Sequence, residues 1–482
     1  LFVVERDGAR YFTRDGSFRQ NEDQDLVTIN GERLMGFGVD EAYNVIEGAL
    51  APVNIPTGAM TIAEETDNVR LSGNLDASGD LSMEGSVHTL MGTEDDGLRL
   101  ISTATVAPAD PANVLETSSL LLEIEDPDQP GSDLPLFGDG QQIEVEGVER
   151  GGKLLPTSTF LIGATSTIQD LMDFLTSALG LHAATNGNGS VPGVALDPTS
   201  GVLTITGNHG RTNDLDIERN DLRVLDPDGS QAGSPLTIQK AAAADGESVR
   251  TTFLVYDSLG TPLEVDATLA LEATSDSGTT WRYFLDSSDD TDASAALATG
   301  LVSFDTNGRL VTTDPIPVSL DRAATGAFSP MTFNLSFQGD EDAMTALTDQ
   351  SSEIAMTFRD GAPIGSLTDF GIGTDGTITG AFSNGLTRTL GRVPLAVFTN
   401  VEGLVDAANN LYTVGPNSGA AAIVNPGSFG SGQIVSGSLE LSNVDLGKEF
   451  IDLILSSTGY SASSRVIRTT DELMQQLLVL GR

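Results

Sequence analysis

The sequence predicts a mainly β, multi-domain protein of antiparallel β barrels or sandwiches nested by insertion. A long C-terminal α-helix and one short helix in an inserted domain complete the expected architecture. Three observations carry this expectation. Short apolar or alternating runs are separated repeatedly by an acidic or amide residue followed by glycine, which supplies the positive φ of a tight hairpin turn. Glycine is abundant, at 53 of 482 residues. Helical periodicity is confined to two stretches. At about 150 residues per domain, the length suggests roughly three domains.

In chain order, the turns fall at Arg14-Asp15-Gly16, Asp76 to Gly79, Asp197 to Gly201, Asp257 to Gly260, Asp305 to Gly308 and Asp375-Gly376. Strand alternation is clearest in Thr251 to Leu254, Leu263 to Leu271, Val302 to Val311 and Ile378 to Phe382. Between them, Thr167 to Leu179 carries Ile168, Leu171, Met172, Leu175 and Leu179 behind a threonine cap, the spacing of an amphipathic helix lying on a sheet.

The second helical stretch closes the chain. Ser442-Asn443-Val444-Asp445 sets a hydroxyl three residues ahead of a carboxylate, a capping pattern, and no proline interrupts the stretch from there to Leu480. Leu446, Leu453, Tyr460, Ile467 and Met474 stand seven apart, and Phe450, Leu477 and Leu478 widen the stripe at its ends. A strict heptad predicts packing along another long helix. The expected subunit-interface residues are therefore Leu446, Phe450, Leu453, Tyr460, Ile467, Met474 and Leu477. The centre is small and polar, Ser456-Ser457-Thr458-Gly459 and Ser461 to Ser464, and a mid-helix glycine costs about 1 kcal/mol relative to alanine. Such a helix is expected to draw its stability from other chains. The competing reading is a helix that covers a β domain of its own subunit. The narrow seam argues against it, because a helix on a sheet shows a wider apolar face.

Composition shifts suggest the division into domains. Residues 1–80 with 366–440 are expected to form an inner β domain, and 81–105 with 246–365 a second one. Residues 106–245 would be an outer inserted α+β domain, and 441–482 the terminal helix. Gly58 and the linkers near 80 and 365 are the expected pivots.

Acidic residues outnumber basic ones 69 to 24, for a formal net charge of −45. Such a surface repels phosphate backbones and anionic headgroups, so neither nucleic acid nor membrane is an expected partner. Cysteine is absent, which removes disulfides, thiol catalysis and thiolate metal sites. His88, His182 and His209 are the only histidines, and no two stand at ligand spacing. His209, between Asn208 and Gly210, is expected in a turn. The Asp-rich segments 286–292 and 226–229 lack the spacing of a calcium loop and read as solvated turns. No G-x-S-x-G elbow and no glycine-rich phosphate loop occurs. The sequence thus predicts no enzyme, with no catalytic residue, no cofactor and no metal ligand. Leu1-Phe2-Val3-Val4 reads as a strand rather than a signal peptide, and without an initiator methionine the chain is expected to start inside a domain.

Four stretches resemble the bacterial flagellar hook protein family, within the flagellar axial rod and hook proteins. Phe12-Thr13-Arg14-Asp15-Gly16-Ser17-Phe18 with Asn21, Leu26-Val27 and Gly31 to Gly36 resembles the first β signature of the axial proteins. Pro52 to Ile62 resembles their outward-leading Ile-Pro segment. Thr251 to Leu263, with Val255-Tyr256-Asp257-Ser258-Leu259-Gly260, resembles the second-domain hairpin of the hook family. Ser442 to Arg482, with Thr470-Asp471-Glu472-Leu473, resembles the axial C-terminal helix, although Ser456 to Gly459 replaces the longer polar residues usual there. Residues 105 to 245 resemble nothing in that family. The resemblance implies a structural subunit of a curved, flexible extracellular tube that transmits motor torque from rod to filament. Its implied partners are further copies of itself, the rod and hook–filament junction proteins, and the hook cap and type III export apparatus during assembly. It also implies an N-terminal helical segment, missing here, before the Phe2 strand. The nearest alternative is a distal rod or other axial subunit. From a different class, the alternative is a secreted β-rich adhesin or binding module with a helical oligomerisation stalk.

Overall fold

The computed structural model describes the chain except residues 41, 59–60, 93–96, 101–114, 127–133, 235, 293, 312–314, 340–342, 349, 429, 440, 443 and 482. Asn443 of the expected cap and the expected boundary between 105 and 106 lie outside the described residues. Two compact units form: residues 1–57, 368–381 and 387–482 make one, and residues 58–367 with 382–386 make the other.

The first unit starts with a hairpin of Phe2–Arg6 and Ala9–Thr13, in which Val3 faces Phe12 and Glu5 faces Arg10. Its two-residue turn, Asp7-Gly8, has φ of 53° and 76°, as an Asp-Gly hairpin whose twist matches its strands requires. Arg33–Gly36 joins beside Phe2–Arg6, and Leu411–Thr413 joins beside Ala9–Thr13. Leu395–Val397 meets the first strand at Phe2 and runs beside Ala422–Val424. Strands about 400 residues apart in sequence thus share a sheet. Val3, Phe12, Met35, Ala396 and Phe398 form one core cluster, with the Phe12 and Phe398 rings edge to face at 4.9 Å.

In the second unit, Ser248–Tyr256, Pro262–Ser275, Gly278–Asp286 and Ala296–Phe304 form an antiparallel four-stranded meander. A second sheet is mixed. Its strand Asn68–Asp76 pairs in parallel with Met331–Ser336 and Thr345–Leu347 on one side and antiparallel with Glu353–Arg359 on the other. Side chains from both sheets, among them Leu71, Leu75, Leu269, Trp281, Phe304 and Phe333, share one core. Period-2 geometry sends Trp281, Tyr283 and Leu285 into it, and their strand neighbours to the opposite face.

A second core, with Leu90, Ile143, Leu171, Leu175, Ile205 and Val224, lies among residues 90–238. Helix α1, Ile168–Ala178, buries Ile168, Leu171, Met172, Leu175 and Ala178. Thr167 and Asp170 close a reciprocal capping box at its start, satisfying two orphan N–H groups. The strands that lead the chain in and out of this region, Gly85–Met91 and Thr237–Ala242, pair antiparallel. At their base, Ser82 Oγ donates to the Glu247 carbonyl at 3.1 Å and Asp245 Oδ1 accepts from both Met83 and Glu84 N–H.

Three local expectations need correction. Gly201, Gly260, Gly308 and Gly376 take positive φ, but Gly16 and Gly79 do not. At those two turns the aspartate carboxylate orders the chain: Asp15 accepts from Ser17 N–H and Asp76 from Ser78 N–H. The alternation from Val302 to Val311 spans a strand end and a turn, because Asp305 Oδ1 accepts from Asn307 and Arg309 N–H and folds the chain back. His209 is the last residue of strand Leu203–His209, fully buried, rather than part of a turn.

Candidate subunit interface

Helix α2 runs from Leu446 to Leu480, 35 residues, and so spans about 50 Å. Its N-cap is Asp445, whose carboxylate accepts from Gly447 and Lys448 N–H. Ser442 does not cap it; its hydroxyl accepts from Val444 N–H in the preceding turn. The carboxylate prevails because charge adds a favourable interaction with the positive end of the helix dipole to the hydrogen bonds themselves.

The expected seam is laid bare. Leu446, Phe450, Leu453, Tyr460, Ile467, Met474 and Leu477 are between 60% and 80% exposed, and no residue of α2 is buried. Full burial of one such side chain is worth about 1.5–3 kcal/mol, so the subunit leaves a large favourable term unrealised along this helix. Apolar character is not confined to the heptad positions. Ile451, Ile454, Leu455, Val466, Leu473 and Val479 are also exposed, so the two ends of α2 are apolar around most of their circumference. A helix of that kind is built to be surrounded rather than to lie on one neighbour. The heptad count alone missed this, although the same residues stand in the sequence.

The polar middle has a physical counterpart. Thr458, Ser463, Thr469 and Thr470 bend their hydroxyls back onto carbonyls one turn earlier, those of Ile454, Gly459, Arg465 and Val466. Their polar atoms are thereby satisfied within α2 itself. With Gly459 beside them, the middle third has a thin, internally bonded surface against which a neighbouring backbone can approach closely.

The histidines sit elsewhere and are all buried. Burial, with the Lys240 charge second, pushes His88 down to about 4, and burial does the same to His209. His182 Nε2 lies 2.9 Å from Asp286 Oδ1. Among the described residues no group of three His, Asp or Glu side chains could hold a metal ion, and no helix is long and apolar enough to cross a membrane.

Three family models match the chain in order. They are the flagellar hook protein FlgE/F/G D1 domain over residues 1–72, the flagellar basal body protein FlaE D2 domain over 225–362, and the flagellar basal body rod FlgEFG protein C-terminal over 435–480. The stretch between 72 and 225 belongs to none of these three. Flagellar hook protein FlgE of Escherichia coli (strain K12) is 32% identical over 243 residues, covering 50% of this chain and 57% of the relative. Flagellar hook protein FlgE of Brucella suis is 28% identical over 357 residues, covering 73% of this chain and 80% of the relative. The chain therefore spans little more than half the length of the E. coli relative. The crystal structure of Helicobacter pylori flagellar hook protein FlgE2 aligns over 88% of this chain and 92% of its own, at 17% identity and a TM-score of 0.39.

Proposed function

We propose, for a chain that carries the D1, D2 and C-terminal domains of the flagellar rod and hook family, the role of a structural subunit of the flagellar hook. The observation that carries this reading is α2: a 35-residue helix with no buried residue and with exposed apolar side chains massed at both ends and Tyr460 between them. In a tube of many copies, these helices would pack side by side near the axis, where dense apolar contact resists twisting. The β domains would stand outside. Their acidic, turn-rich surfaces suit contacts that are exchanged as the tube bends, because wet, charged contacts carry little net energy each.

The hook reading is preferred over a rod subunit because the relatives above are named as hook proteins and the D2 model matches. Partners at the two ends of the tube, rod and hook–filament junction proteins, follow from the same reading. So do a hook cap, a type III export apparatus during assembly, an extracellular location and the absence of catalysis. Replacing Leu453 and Ile467 with aspartate in the full-length protein tests it. Two charges on the seam should abolish tube formation in electron microscopy while the β domains keep their circular dichroism. Tubes formed by the double variant would refute the assignment of the seam. Dispersed oligomers of the unaltered protein would favour the adhesin reading instead.

A further inference from the structure

The insertion, which lies outside the three matched family models, is seated on the second β domain through a square of four charges. Hairpin Glu149–Arg150 and Lys153–Leu154 turns at Gly151-Gly152, whose φ values are 55° and 76°. The turn sets Arg150 directly opposite Lys153. On the meander, Asp266 and Asp286 are likewise direct cross-strand partners. Arg150 Nη2 donates to Asp286 Oδ2 at 2.9 Å, and Lys153 Nζ donates to Asp266 at 2.7 and 2.8 Å. Two paired cations thus meet two paired anions.

The surroundings fix this register. A side chain at Gly151 would bring its Cβ to 2.1 Å from the Thr212 carbonyl oxygen, and one at Gly180 to 2.8 Å from Arg150 Nη1. Arg150 Nη1 donates to the Gly180 carbonyl, and His182 reaches the second oxygen of Asp286. Arg250 of the meander donates to the Arg150 and Thr212 carbonyls. Phe284, two residues before Asp286 and on the same face of the strand, lies 5.3 Å from the His182 and His209 rings. Arg150, His182 and Asp286 are at most 5% exposed.

Like charges set directly opposite each other on a sheet are destabilising, so Asp266 and Asp286 are a poor pair for a meander standing alone. Arg150 and Lys153 come from a chain short of cations, with 24 Lys and Arg in all. We infer that Arg150, Lys153, Asp266 and Asp286 form a charge-matched latch that locks the inserted domain onto the second β domain. The pair then moves as one rigid arm, fixed at this latch as well as at the hydrogen-bonded neck of Ser82 and Glu247. The inference does not rest on polymerisation and holds for the free subunit.

A charge-swap cycle at the more accessible pair tests it. Because cysteine is absent, spin labels can be placed at Ser230→Cys on the insertion and Ser277→Cys on the meander, both on exposed turns. Pulsed electron resonance should give one narrow distance for the unaltered latch. Lys153→Asp alone and Asp266→Lys alone should each lose that peak to a broad distribution. Combining the two should restore it. Hydrogen exchange should leave the cores around Leu90 and Trp281 protected in all three. A narrow distance retained in both single variants would overturn the latch. So would a double variant no narrower than the singles, or loss of protection around Leu90, which would make the pair part of the insertion's own fold.

Discussion

Helix α2 and strand Gly278–Asp286 are both rich in apolar residues, and they dispose of them on opposite terms. The strand buries its apolar surface inside its own chain: Trp281, Tyr283 and Leu285 fill the sandwich core, while Phe284 and Asp286 on the other face meet the rings and cations of the insertion. The helix bonds its own backbone and the hydroxyls of Thr458, Ser463, Thr469 and Thr470, but covers almost none of its apolar surface. Buried ionic contacts fix geometry at modest net energy, because desolvation offsets most of the attraction. Exposed apolar contacts await a partner and carry most of the energy when they find one. The difference separates the parts of this chain that hold its own shape from the part proposed above to join it to others.

That contrast can be broken by the same kind of change in the two places. Trp281→Ala, which removes the largest fully buried side chain, should destabilise the second β domain by about 3–5 kcal/mol. The effect would appear as a large drop in the denaturant midpoint of the monomer. Ile467→Ala should move that midpoint by no more than about 0.5 kcal/mol, as exposed positions do, yet raise the concentration needed for assembly. Equal effects on the monomer would erase the distinction.

A pH titration sharpens the comparison on the buried side. Buried His88 takes its proton only near pH 4, against 6.5 for a solvated imidazole. Between those values the unfolded chain binds more protons than the folded one. The stability that His88 contributes to its sheet is therefore fully present above about pH 6.5 and is lost as the pH drops toward 4, by at most about 3 kcal/mol. His88→Phe should flatten that slope in chemical unfolding at a series of pH values. A slope unchanged by the substitution would assign the acid sensitivity to other groups.

Smaller effects belong to the helix. Gly459 has open space around it within the subunit, so Gly459→Ala should raise the helix content of the free chain, with a gain of about 1 kcal/mol. Assembly should nevertheless weaken if a neighbouring backbone lies against that position. Asp445→Ala, by removing the cap, should fray the first turn at a cost of about 1 kcal/mol, visible as faster amide exchange at Gly447 and Lys448.

Much of this architecture was legible in the residues. Most of the Asp-Gly turns, the alternation in Thr251 to Leu254 and Leu263 to Leu271, the threonine cap of α1 and the long terminal helix express local preferences that the tertiary structure does not override. What local pattern could not show was pairing at a distance. The parallel neighbours of Asn68–Asp76 come from residues 331–347, and no short-range signal announces them. The role of Arg150 and Lys153 was equally hidden, because two cations flanking Gly-Gly look like any solvated hairpin until Asp266 and Asp286 are seen side by side. His209 was misplaced because its Asn and Gly neighbours suggest a turn, whereas its ring is held by Asn186 inside the fold. The apolar heptad of α2 was legible in the sequence, but counting sevens drew attention away from the equally exposed Ile451, Ile454 and Val466 between them.

The most direct test of the central claim measures the exposure of α2 before and after assembly. In a chain with no cysteine, Ile467→Cys places a single thiol on the seam. In the free subunit it should react with a maleimide as fast as an exposed model thiol, and in assembled tubes it should be strongly protected. Equal reactivity in subunit and tube would contradict the account.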